Sequence, residues 1–186
     1  QDSKLGEALT GAVRSAARRG KATVKVVGET VSDEGGCPHR VKAIFVFQEF
    51  NKEGDELLVA ALYAHEYGPE APPPSAGRVY IECLDACPLR PAAAGGQGPR
   101  GDDTNVILST LLLSYLQFAR DVGLTHCHFR VPPPSDATPT IFSRRPEGAR
   151  VVAAACGVRW LQRQLRAAVR LRIVHSFSSD EHPRKG

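Results

Sequence analysis

The stretch EYGPEAPPPSAGRVYIECLD, Glu66 to Asp85, decides how this chain is read. It presents a strand end, a rigid turn and a second strand that stops at a carboxylate. Pro72, Pro73 and Pro74 each lack an N–H and fix φ, so the triplet forbids both helix and central strand. Arg78 to Leu84 returns to strand-favouring residues and ends at Asp85, just ahead of Cys87-Pro88. A polar residue where a strand runs into a loop is a common place for a ligand contact. On local properties alone, the segment also reads as an ordinary strand-turn-strand unit whose Asp85 caps a turn.

Working upstream, Leu57 to His65 is a strand reached through the polar hairpin NKEGDE from Val41 to Phe50. The apolar run VKAIFVFQEF suggests a strand buried on both faces. Ala22 to Val31 is β-branched and alternating, another strand, and SDEGGCP is the turn that follows it. Leu5 to Arg19 has helical spacing, with Leu5, Leu9 and Val13 on one face and Gly20 as its stop.

Downstream, PLRPAAAGGQGPRG, Pro88 to Gly101, reads as a Pro/Gly/Ala linker. Asp102, Asp103 or Thr104 can cap the next helix, which is apolar on most sides and closes at Gly123. Thr125 to Val131 is a strand. Pro132 to Val152 is a Pro- and Arg-rich loop longer than passive connections need, hence a candidate binding loop. A last helix spans Cys156 to Arg172, and residues 178–186 form a polar tail. The element order predicts one α/β or α+β domain, residues 1–186, with a central mixed sheet flanked by helices.

Composition narrows the function classes. At 186 residues the chain is large enough to bury roughly 70 % of its unfolded surface. No apolar run reaches the roughly 18 residues of a membrane span, and the first residues lack the apolar centre of a secretory signal. The absence of Met makes the sequence read as a fragment or excised domain. Five cysteines with irregular spacing argue against a disulfide framework. Cys83-x3-Cys87 and His126-Cys127-His128 are the metal-like spacings. On a strand His126 and His128 share a face that Cys127 does not, and paired CxxC knuckles are missing, so no metal is expected.

Seven separated patches, in order, resemble the CBP-type histone acetyltransferases. They are Pro38 to Ala43 with Phe45 and Phe47; the Glu66 to Asp85 block; Tyr115-Leu116-Gln117-Phe118; Gly123; His128 with Pro133-Pro134-Ser135; Ile141-Phe142 with Pro146; and Arg172 to His175. The resemblance implies an acetyltransferase-like fold and a nuclear lysine N-acetyltransferase that uses acetyl-CoA on histones or other lysine-containing nuclear proteins in transcription regulation. It implies that Leu84, Asp85 and Ala86 lie at the pantetheine of CoA and that Trp160 packs near the cofactor. Arg130 stands where the family has a substrate-side Trp, and Leu161 where it has a catalytic Tyr. Thr104 stands near the position of the family's CoA-binding Arg, unless Arg100 in the linker replaces it. No catalytic residue is assigned. The alternative is a catalytically degenerate domain that serves as a CoA-binding or protein-interaction module.

Acetyl transfer to lysine needs a neutral amine and an acid for the departing thiolate, against unperturbed pKa values of about 10.4 and about 8.5. Leu161 has no proton to give, and with Leu165, Ala168 and Val169 it also fits a plain apolar helix face. An Arg130 turned inward repels a lysinium about 4 Å away by about 4 kcal/mol at an effective dielectric of about 20. Arg159, Arg163, Arg166 and Arg170 recur on one side of the last helix, a stripe that suits CoA phosphates, an acidic partner or simply water. Trp160 is the one aromatic among these arginines, which argues against direct nucleic-acid binding by stacking.

Overall fold

The computed structural model describes residues 2–17, 21–31, 37–49, 53–86, 101–130 and 154–178. Its elements are α1 (Asp2–Ala16), β1 (Ala22–Val31), β2 (His39–Glu49), β3 (Glu56–Tyr67), β4 (Arg78–Ala86), α2 (Gly101–Asp121), β5 (His126–Phe129) and α3 (Ala154–Arg170). The strands form one mixed sheet in the order β1-β2-β3-β4-β5, antiparallel except for the parallel pair β4–β5. The fold is α+β, as expected. The linker before Gly101, the loop 132–152 and the tail after Ser178 lie outside the described residues.

The register sorts side chains onto two faces. Ala22, Val24, Ile44, Val46, Ala60, Leu62, Ala64, Val79 and Ile81 point to the face covered by α1 and α2. From above, Leu5, Leu9 and Val13 of α1 meet Ile107, Leu111, Leu112, Tyr115, Leu116 and Ala119 of α2 in the same core. Each fully buried Leu or Ile here contributes roughly 1.5–3 kcal/mol. The helix α3 lies outside α2 and adds Leu165.

The expectation that β2 is buried on both faces is corrected. Its burial alternates strictly from Val41 to Glu49, fully buried toward the helices and half-buried on the other side. There Phe45 meets Tyr63 edge-on at 5.9 Å, and the Lys25 ammonium sits 4.6 Å from the centre of the Phe47 ring. Among the described residues, aromatic edges and a cation shield these rings. The last strand starts at His126, one residue later than expected, because Thr125 turns its N–H and its hydroxyl to the Gly77 carbonyl; Val131 lies outside the described residues.

That carbonyl is set by the proline turn. Ser75 N–H donates to Pro72 O, Gly77 N–H donates to Gly68 O, and Gly77 takes φ +68°, a left-handed conformation that suits glycine. The turn thereby delivers Gly77 O to Thr125 and His126 and fixes where β5 docks on β4. At the far end of α2, Gly123 adopts φ +91° and Leu124 N–H reaches back to Ala119 O, the expected helix stop. The end of α3 uses Arg172 in the same left-handed role at φ +57°, and Arg120 Nη1 holds the Arg172 carbonyl at 2.6 Å.

Under α2, three motif residues meet in a buried polar cluster. Lys42 Nζ lies 2.8 Å from Glu66 Oε2, with side chains 1 % and 8 % exposed. Tyr115 donates its hydroxyl to Glu66 Oε1 at 2.9 Å, and the Lys42 ammonium faces the Phe118 ring at 4.9 Å. Burial, reinforced by the Glu66 charge, pushes the Tyr115 phenol well above its ordinary value. Removing one partner of a buried ion pair strands the other's charge, which costs about 3–5 kcal/mol. Lys42→Met is therefore expected to lose about that much stability in urea denaturation, and Lys42→Met with Glu66→Leu to regain most of it.

The pH dependence has a definite sign. With the folded pKa raised, the Tyr115 contribution is complete below the unfolded value of about 10 and is lost as pH climbs above it. Once the unfolded chain ionises and the folded one does not, stability falls by up to about 1.4 kcal/mol per pH unit for this group. Tyr115→Phe is expected to flatten that part of the alkaline slope measured by urea denaturation at a series of pH values.

Candidate functional site

The β4–β5 ladder ends at Ile81↔Phe129, with Arg130 N–H donating to Ile81 O at 2.9 Å. β4 runs on to Ala86, laddered among the described residues to β3. Between those points the β3–β4 register shifts at Tyr63/Ala64, leaving Glu82 as an extra residue in β4. Such a bulge bends the strand and re-aims the residues beyond it. The sequence-predicted residues Leu84, Asp85 and Ala86 thus sit on the stretch where β4 outruns β5.

They do not share a face. Leu84 opposite Leu62 and Ala86 opposite Ala60 turn to the helix side, half-buried against the core. Asp85, opposite Ala61, turns to the other side, where its Oδ1 accepts the Ala86 N–H at 2.8 Å. Strand alternation makes this unavoidable. A ligand that touches all three must lie along the strand edge and take backbone groups as well as side chains. Tyr63, opposite Cys83, shares the Asp85 face one diagonal step away.

Trp160 lies on α3. It lines a groove of about 290 Å³ between α2 and α3 with Arg163, Gln164, Asn105, Ser109 and Thr110 over an apolar floor of Val106 and Leu113. Arg163 and Arg166 are exposed, and α3 carries no acidic side chain. Both Trp160 and the end of β4 pack around α2, yet α3 and β4 make no close backbone approach among the described residues. The structure therefore brings Leu84 and Ala86 together but leaves Trp160 in a separate groove. Sequence reasoning picked out Trp160 and the arginine stripe; the α2 wall of the groove, whose Ser, Thr and Asn side chains carry no motif signal, it missed.

The substituted positions also part. Leu161 is half-buried and packed on the core, in line with the apolar face it forms with Leu165 and Ala168. Thr104 is buried near the start of α2, and Arg100 lies outside the described residues. Arg130 goes to the sheet face away from the helices. Its Nη1 lies 3.4 Å from Glu82 Oε1, and Glu82 Oε2 pairs with His65 Nε2 at 3.0 Å. His65 continues the row, with ring centres 5.1 Å from His39 and 6.1 Å from Tyr80. The bulge residue Glu82 thus anchors Arg130, a link that sequence spacing does not reveal.

The His126-Cys127-His128 run alternates as its strand requires. Arg78 Nη1 meets His128 Nε2 at 2.8 Å and Thr125 Oγ1 meets His126 Nδ1 at 3.0 Å, whereas Cys127 pairs with Val79 toward the core. Burial pushes the Cys127 thiol up to about 12. A thiol that stays protonated is a poor nucleophile. Cys127 is expected to be alkylated by iodoacetamide at pH 8 far more slowly than it is in the urea-unfolded chain, as peptide mass spectrometry would report.

The sequence is similar to those of known proteins. The family described as histone acetyltransferase domain KAT3 matches residues 20–180. Protein cbp-1 of Caenorhabditis elegans is 32% identical over 140 residues, covering 75% of this chain and 6% of that protein. Probable histone acetyltransferase HAC-like 2 of Oryza sativa subsp. japonica is 29% identical over 140 residues, 74% of this chain and 9% of its own length. Histone acetyltransferase HAC4 of Arabidopsis thaliana is 29% identical over 113 residues, 59% of this chain and 7% of its own length. The chain thus spans a small part of each relative. With the family profile matching most of its residues, the chain belongs to the KAT3 histone acetyltransferase family.

Proposed function

We propose that this domain binds acetyl-CoA and transfers its acetyl group to lysine amines of histones or other nuclear proteins, acting in the nucleus on transcription. The observation that supports the reading is the end of β4, where Leu84, Asp85 and Ala86 run past the end of β5 and, among the described residues, ladder only to β3, beside half-buried apolar side chains. An amide-bearing pantetheine arm suits such an edge, since amides can bond to strand backbone while the alkyl parts lie on Leu84 and Ala86.

The α2–α3 groove fits the other end of the cofactor. Trp160 offers a flat aromatic surface, Arg163 a cation for phosphate, and Asn105, Ser109 and Thr110 polar contacts. At about 290 Å³ it takes part of the molecule, not all of it. When bound, acetyl-CoA supplies the thioester. Held by Leu84, Asp85, Ala86 and Trp160, it would offer an acetyl group to a lysine amine with the CoA thiol as leaving group.

Two observations favour a second reading, a domain that binds CoA without transfer. Leu161 packs on the core with no proton to donate, and Arg130 is held by Glu82 on the far face of the sheet. Calorimetric titration with acetyl-CoA is expected to show binding, about tenfold weaker in Trp160→Ala and several-fold weaker in Asp85→Ala. Mass spectrometry of histone-tail lysine peptides then separates the readings. Acetylation above the uncatalysed rate supports the transferase, and binding without it supports the CoA-holding module. In that second case Leu161→Tyr is expected to raise transfer. No heat at millimolar acetyl-CoA would exclude both.

A further inference from the structure

The helix α3 carries four arginines, Arg159, Arg163, Arg166 and Arg170, and no acidic side chain. Steps of four, three and four residues keep them on one side of the helix. Arg163 borders the Trp160 groove, whereas Arg166 and Arg170 lie past it and Arg172 follows in the turn that ends the helix. All three are exposed, and none of their guanidinium groups has a partner among the described residues. Like charges one turn apart weaken a helix, and a solvated surface ordinarily interleaves both signs. A helix face of one sign is therefore a poor choice for solvation alone.

The surroundings leave the row uncompensated. Among the described residues, α2 is the only helix or strand that α3 packs against. Past Asp103, the only acidic residue on either helix is Asp121, and Arg120 offsets it through bonds of 2.9 and 3.1 Å. Asp102 and Asp103 belong to the first turn of α2, at the opposite end, where Asn105 meets Trp160 and Arg163 in the groove. No acidic residue occurs from Leu171 to Ser178. The same end also carries exposed apolar groups. Arg120 Nη1 holds the Arg172 carbonyl at 2.6 Å and draws the ends of α2 and α3 together, so Leu171, 62% exposed, and Val122, 42% exposed, both stand there.

We infer that Arg166, Arg170 and Arg172, with Leu171 and Val122 beside them, dock an acidic protein segment that also carries bulky apolar residues. Its carboxylates pair with the guanidinium forks, whose planar shape matches a carboxylate bidentately. Its apolar side chains cover Leu171 and Val122. A helical segment with acids at steps of three and four residues repeats the spacing of the row, about 6 Å along the axis from Arg166 to Arg170. Nucleic acid is the poorer fit. Aliphatic side chains add nothing to phosphate contacts, and no exposed aromatic ring stands at this end for base stacking. Docking there is independent of the Trp160 groove and of acetyl transfer.

The test uses the whole chain and a short helical peptide with glutamate at steps of three and four residues and leucine beside them. At about 0.15 M salt, fluorescence anisotropy is expected to show binding that weakens about tenfold or more with Arg166→Glu plus Arg170→Glu, and several-fold with Leu171→Ser. Circular dichroism is expected to show both variants folded like the parent, since these side chains face water. A peptide with lysine in place of glutamate should not bind the parent chain and should bind the doubly reversed variant. Equal affinity for a peptide with serine in place of leucine overturns the proposal, as does absence of binding. So does a single-stranded oligonucleotide of equal charge that binds as tightly, with an affinity unmoved by Leu171→Ser, which would give the row to phosphates.

Discussion

Everything on the helical side of the sheet is organised around the buried Lys42–Glu66 pair and the Tyr115 hydroxyl that completes it. A charge pair taken out of water is a poor source of net stability and a strict geometric demand, because either partner alone is strongly unfavourable. Here the demand ties together β2, the end of β3 and the middle of α2. α2 cannot slide or rotate over the sheet without losing the Tyr115 hydroxyl's bond to Glu66 and the place of the Phe118 ring beside the Lys42 ammonium. That placement sets the other helices. α1 fills the space beside α2, α3 packs outside it, and the wall of the Trp160 groove is its outer face.

Much of this was legible in the residues. The three proline rings and the β-branched runs around them fix the strand-turn-strand unit; the glycine at 123 ends α2 where helix periodicity stops. The alternation at His126-Cys127-His128 follows from strand geometry alone. Two things were not legible. The half-buried outer face of β2 reads as fully buried because Phe45 and Phe47 are as apolar as core residues, and only the cross-strand neighbours show that an edge-on ring and an ammonium shield them. The Arg130–Glu82–His65 chain was equally hidden, since it joins residues 48 and 17 positions apart through a bulge that no local pattern announces.

The candidate site has the same mixed character. Motif order leads to Leu84, Asp85 and Ala86, and the fold sets them at the end of β4, past the end of β5 among the described residues. Their split across two faces is a matter of period-2 geometry that a motif does not express. Arg130 illustrates a different limit. Read alone it is a cation placed where an aromatic ring belongs; in the fold it is half of a surface ion pair whose partner also holds a histidine. Such half-exposed pairs contribute little to stability, so the main effect of the exchange is to set where the guanidinium points.

Lys42, Glu66 and Tyr115 each belong to a patch by which the family is recognised, and all three are spent on holding the architecture. A lineage that abandoned chemistry while keeping this fold could not lose Lys42 or Glu66 singly without cost, whereas Leu161 and Arg130 could drift. The signature is therefore a fingerprint of ancestry and of foldability, and kinship read from it is silent about turnover. Among such descendants, the groups that face the thioester would distinguish a working enzyme from one retired to scaffolding.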